Sequence, residues 1–122
     1  MTIQEFIVLA RKGKIEEIKN IIPTIITTGK PPKRLKGSKE LTHINDSNNQ
    51  SARAIDAAVK AGKKETVELL IANGAESYLG SFASDAMKHK EIFEICVKAY
   101  GMSRMKPDLM YFYDFEKDIR IT

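Results

Sequence analysis

Residues 57 to 76 read Ala57-Ala58-Val59-Lys60-Ala61-Gly62-Lys63-Lys64-Glu65-Thr66-Val67-Glu68-Leu69-Leu70-Ile71-Ala72-Asn73-Gly74-Ala75-Glu76, and their punctuation decides the fold. Ala54, Ile55, Ala57, Ala58, Val59 and Ala61 recur at helical spacing and run into Gly62, a residue that takes positive φ without steric cost and so stops a helix. Val67, Leu69, Leu70 and Ile71 then form a second apolar stripe, which the pair Asn73-Gly74 closes. Two short helices hinged on a glycine make a helical hairpin, and the small alanines of the first helix let a neighbour approach closely.

The pattern is present twice more. Ile3, Phe6, Ile7 and Ala10 share one helical face and lead into Gly13; Ile15, Ile18, Ile21 and Ile22 follow at steps of three and four until Pro23, which lacks an amide hydrogen and ends the helix. Setting Gly13 on Gly62 places Leu9 on Ala58, Glu16 on Glu65, Ile18 on Val67, Ile21 on Leu70 and Ile22 on Ile71. A weaker copy carries Phe82, Ala83, Ala86 and Met87 on its first helix and Ile92, Phe93, Ile95, Cys96 and Val97 on its second. Lys88-His89 replaces its hinge glycine, and Gly101 ends it. The expected class is all-α.

Residues 57 to 76 resemble the core of an ankyrin repeat, whose antiparallel helices flank a glycine turn and end in a Gly-Ala-acidic step, here Gly74-Ala75-Glu76. Leu9 to Ile18 resemble the same segment, truncated. Ankyrin repeats recur about every 33 residues and open on Thr-Pro-Leu-His; here that opening reads Arg53-Ala54-Ile55-Asp56. Gly13 and Gly62 are 49 positions apart, Glu65 and Glu91 only 26. The resemblance therefore implies a degenerate stack, a short α-solenoid in one domain. Repeat 1 covers about 2–22, an insertion loop 23–41, repeat 2 about 42–76, repeat 3 about 77–101, and a tail or cap 102–122. His43 to Asn49 would form its one full β-turn finger, because Asn and Asp tolerate turn conformations.

Charge is concentrated in one place. The chain holds 20 Lys and Arg against 16 Asp and Glu, a net charge of +4. Lys30, Lys33, Arg34, Lys36 and Lys39 lie within ten residues that contain no acid, and without them the body is near neutral. This segment reads as a solvated loop or as an anion-binding one, for phosphate, a membrane surface or nucleic acid. No aromatic residue adjoins these charges in sequence, whereas single-stranded nucleic-acid binders set rings among theirs.

Composition excludes several classes. With 43% hydrophobic and 30% charged residues, the chain is neither collagen-like nor wholly disordered. No apolar run reaches the roughly 20 residues of a membrane span, and the start lacks the order of a secretory signal. Cys96 is the single cysteine, so an intramolecular disulfide is excluded and a reducing, cytoplasmic location is expected. Cys96 reads as a small hydrophobe. His43 and His89 have no metal-ligand spacing beside them, and no glycine-rich phosphate loop precedes a helix. No catalytic residue, metal or cofactor is expected.

Four of the nine Phe and Tyr residues fall in Tyr111-Phe112-Tyr113-Asp114-Phe115. The tail that carries them reads either as a cap on the third repeat or as a contact surface.

The expected function is non-enzymatic protein recognition. Ankyrin proteins bind partners with a concave face of inner helices and finger tips; carried over to this chain, the resemblance implies Arg11, Lys12, Lys60 and Ala61 at the ends of the inner helices and Ile44, Asn45 and Asn48 on the finger. A protein partner without membrane contact, and a monomer or weak homo-oligomer, go with this reading. One alternative is a nucleic-acid or anionic-surface binder using Lys30, Lys33, Arg34, Lys36 and Lys39. Another is an inhibitor, immunity or effector protein of microbial origin.

Overall fold

A computed structural model describes residues 1–33 and 39–105. Six α-helices and one 3-10 turn account for nearly all of its regular structure. Helix α1 spans Ile3–Lys12, α2 Ile15–Ile21, α3 Ala54–Lys60, α4 Lys64–Ala72, α5 Phe82–Met87 and α6 Lys90–Tyr100, with the 3-10 turn at Ile22–Thr24.

The two glycine hinges are built alike. Gly13 and Gly62 both take positive φ, 71° and 74°. At the first, Gly13 N donates to Ala10 O and Lys14 N to Leu9 O; at the second, Gly62 N donates to Val59 O and Lys63 N to Ala58 O. Every partner in the second turn lies 49 positions after its counterpart, so the alignment of the two segments is a structural one. The third turn has no such residue: Lys88 stays right-handed at φ −72°, which is why a lysine can stand there. At the end of α4 the pair Asn73-Gly74 divides its roles, Gly74 alone taking positive φ (90°). Pro23 ends α2 less abruptly than expected. It sits inside the 3-10 turn, where its missing amide hydrogen costs nothing.

Helix α1 packs on α3 and α3 on α5, while α2 meets α4 and α4 meets α6, so the hairpins lie side by side. Ala10, Ala54, Ala58 and Ala86 are fully buried where the first helices of the hairpins meet. Ile18, Val67, Leu70, Ile92 and Phe93 fill the space behind. Leu69 and Ile71, expected in that core, are only half-buried; Thr66, on the next turn of α4, is buried instead.

Side chains close over the hinges. A Cβ built on Gly62 would lie 2.7 Å from His89 Cε1, and one on Gly13 would lie 3.1 Å from Lys63 Cδ. Each hinge is thus covered by the first residue after the next hairpin's turn. Gly74 is approached in another way, with the Thr27 carbonyl oxygen 2.7 Å from the position of a Cβ.

The inserted segment is tied at both ends. Its first residues pair beside the finger, through Ile26 N to Thr42 O and Ile44 N to Ile26 O. Its return leg runs antiparallel to the start of the chain, through Ile3 N to Lys39 O and Leu41 N to Met1 O. Helix α1 begins on a capping box: Thr2 Oγ1 accepts from Glu5 N at 3.1 Å and Thr2 N donates to Glu5 Oε1 at 2.8 Å. The aromatic cluster Tyr111 to Phe115 lies outside the described residues.

Gly62→Ala is expected to lower stability by roughly 1–3 kcal/mol in urea unfolding, because a positive-φ alanine is strained and its methyl meets the His89 ring. In Gly62→Ala/His89→Ala the steric part is relieved, so the two losses should be less than additive.

Candidate functional site

The first helices of the three hairpins and the loop before α3 enclose an open groove of about 510 Å³. Its polar lining includes Arg11 from α1, Asn48 from the finger, Asp56 and Lys60 from α3, and Asp85 from α5. Ile7, Ala57 and Leu79 form its apolar floor, with Ala61 at one end. Residues far apart in sequence meet here because α3 lies between α1 and α5.

Of the seven residues expected to contact a partner, Arg11, Asn48, Lys60 and Ala61 line this groove. Lys12 is exposed but outside its lining. Ile44 and Asn45 differ from the expectation of an exposed finger tip, being only 1% and 5% accessible. The turn closes at Asp46 N to His43 O, 3.0 Å, and folds inward. The exposed tip comes later, at the turn Asn48–Ser51, where Ser51 takes positive φ.

The inward turn is held by a buried polar seam. Asp46 Oδ2 accepts from Thr42 N and His43 N, both at 2.8 Å. His43 Nδ1 accepts from Asn45 N at 3.0 Å, so its Nε2 carries the proton and donates to Thr28 O at 2.9 Å. Asn45 reaches the end of the second hairpin, donating Nδ2 to Gly74 O at 3.0 Å and accepting from Glu76 N at 2.8 Å. Buried polar groups need such partners, and Ile44 follows them into the core.

Asp56, in the polar lining of the groove, is tied into the start of α3. Its Oδ2 accepts from Arg53 N at 2.8 Å, capping α3, and its Oδ1 accepts from the Ser77 hydroxyl. Burial pushes its carboxyl above the ordinary value of 3.8, against the opposing pull of those two hydrogen bonds. Cys96 is fully buried and its thiol is pushed up to about 11 by burial, the behaviour of a packing residue. Among the described residues no three His, Cys, Asp or Glu side chains gather as a metal site, and no helix is long and apolar enough to cross a membrane.

Lys30, Lys33 and Lys39 of the basic segment are exposed; Arg34 and Lys36 lie outside the described residues. Lys30 shares a second cleft, of about 350 Å³, with Arg53, Glu76 and Tyr78. The Arg53 guanidinium sits 4.6 Å above the Tyr78 ring centroid, and that ring is 70% exposed. Sequence reading passed over this pair, since 25 positions separate the two residues; Tyr78, in the short link between α4 and α5, was the one available signal.

No protein-family model, no curated protein and no solved structure matches the chain.

The raised titration of Asp56 sets a sign. A carboxyl that binds its proton more readily folded than unfolded favours folding as pH falls, and that contribution is lost as pH rises through its folded value. Asp56→Asn keeps the Arg53 amide bond and removes this titration. The stability of the variant relative to wild type, measured by urea unfolding, is expected to increase as pH rises from about 4 towards neutrality; a flat difference would contradict the assignment.

Proposed function

We propose that the chain is a degenerate ankyrin-like module that binds a protein partner in the groove along α1, α3 and α5. One observation carries this reading: Arg11, Asn48, Lys60 and Ala61 line a single groove although up to 50 positions separate them. The resemblance nominated these residues as contacts, and the matched hydrogen bonds at the Gly13 and Gly62 hinges support reading the two segments as copies of one hairpin. The combination of an apolar floor with polar walls fits a peptide segment.

A tagged chain, its Lys60→Glu and Ala61→Trp variants and the control Lys98→Glu, which alters exposed α6, are to be used for affinity purification from the native cell. The expected result is a partner retained by wild type and the control and lost, by about tenfold or more, from both groove variants. Equal recovery by all four proteins would reject the groove.

The anion-binding reading keeps one specific support, the meeting of Lys30 and Arg53 with the exposed ring of Tyr78 in the second cleft. Rings among cations are what single-stranded nucleic acid uses. It requires an affinity for oligonucleotide that falls steeply with salt and is lost in Tyr78→Ala.

A further inference from the structure

The charges in the groove are unequally committed. Both acidic side chains there are engaged within the fold. Asp56 caps α3 and accepts from Ser77, and Asp85 lies 3.8 Å from the Lys88 ammonium. Arg11 and Lys60 are exposed, and neither side chain has an ion pair or hydrogen bond among the described residues. Among the described residues, then, the groove's two carboxylates have partners within the fold, and its two cations do not.

Those two groups are equivalent. Lys60 lies 49 positions after Arg11, the offset that relates the two hinges. Each stands in the last turn of its helix, and α1 packs directly on α3. Neighbouring helix axes are about 8–10 Å apart, which sets the scale of the separation between the two cations. A polyproline-II segment repeats every three residues and covers about 9 Å in that span, so two carboxylates three positions apart on it share a face and match the two cations. Ile7 and Ala57, about one turn before the cations on their own helices, contribute apolar lining to the groove.

We propose that the groove takes an acidic protein segment, two carboxylates of which pair with Arg11 and Lys60 while its apolar side chains rest on Ile7, Ala57 and Leu79. This inference rests on the protein-binding reading of the groove and specifies the chemistry of the partner. A polynucleotide fits the groove less well. Among the described residues no aromatic side chain lines it, so bases find no ring there to stack on.

The test uses the full chain and three probes: a blocked peptide Ser-Leu-Glu-Pro-Leu-Glu-Ser, the same peptide with both Glu replaced by Gln, and a thymidine oligonucleotide. Amide shifts in 1H-15N spectra locate binding. The acidic peptide, at up to about 1 mM, is expected to shift the amides near Arg11, Asn48 and Lys60 saturably. Its affinity is expected to fall by about tenfold or more in Arg11→Gln/Lys60→Gln, and likewise for the Gln peptide. Both substituted positions are exposed, and retained spectral dispersion confirms the fold of the variant. Absence of those shifts, equal binding of the Gln peptide, or stronger oligonucleotide binding at the same amides would each overturn the proposal. If the acidic peptide fails while a purified partner is still lost from Ala61→Trp, the acidic specificity falls and the groove itself stands.

Discussion

The molecule depends on how closely one helical hairpin can approach the next, and the hinge glycines set that distance. His89 lies against Gly62 and Lys63 against Gly13, so near that a methyl group on either glycine would have to displace them. Positive φ and close approach act at the same two positions, which leaves glycine as the residue that meets both demands. With the hinges nested, the small side chains of Ala10, Ala54, Ala58 and Ala86 suffice to fill the seams between the first helices. Larger residues there would spread the row and open the core behind it.

Nesting also fixes what the surface presents. Hairpins held in register bring Arg11 and Lys60 to the same level on neighbouring helices, and the groove is the consequence of that register. A second lock acts at the other end of the hairpins. The seam of His43, Asn45, Asp46 and Gly74 joins the inserted segment, the inward turn and the end of α4 through buried hydrogen bonds. Such groups are costly to bury without partners, so the seam admits few alternative arrangements of the irregular segments. On the outer row a cross-hairpin pair, Lys64 with Glu91 at 2.9 Å, is exposed and adds little.

The helical part of this architecture was legible because periodicity and glycine punctuation are local signals. Gly13 and Gly62 announced the hinges, and all six helices fall where their apolar stripes lie. The Thr2-Ile3-Gln4-Glu5 capping box was also written in the sequence, although a periodicity reading passes over it. What local signals do not carry is the fate of polar residues. Asn and Asp at 45 and 46 look like a solvent-exposed turn, yet their partners Gly74, Glu76 and Thr42 draw them inside. Asp56 reads in the sequence as one more polar residue at the start of a helix; its role emerges only when Ser77 arrives beside it. The same holds for Arg53 and Tyr78, whose stacking is a matter of tertiary proximity. Of the groove's lining, Arg11, Asn48, Lys60 and Ala61 were nominated by the resemblance, whereas its other apolar and its acidic members are visible only once the helices pack.

The nesting of the hinges is the claim on which the groove, the register of its cations and the alanine seams all stand. Nuclear Overhauser contacts on the isotopically labelled chain test it most directly. The account predicts cross-peaks between the Gly62 α protons and the His89 ring, and between the Gly13 α protons and the Lys63 side chain. A well-dispersed spectrum with helices at the stated positions but neither cross-peak would mean that the hairpins do not meet at their hinges, and would contradict it.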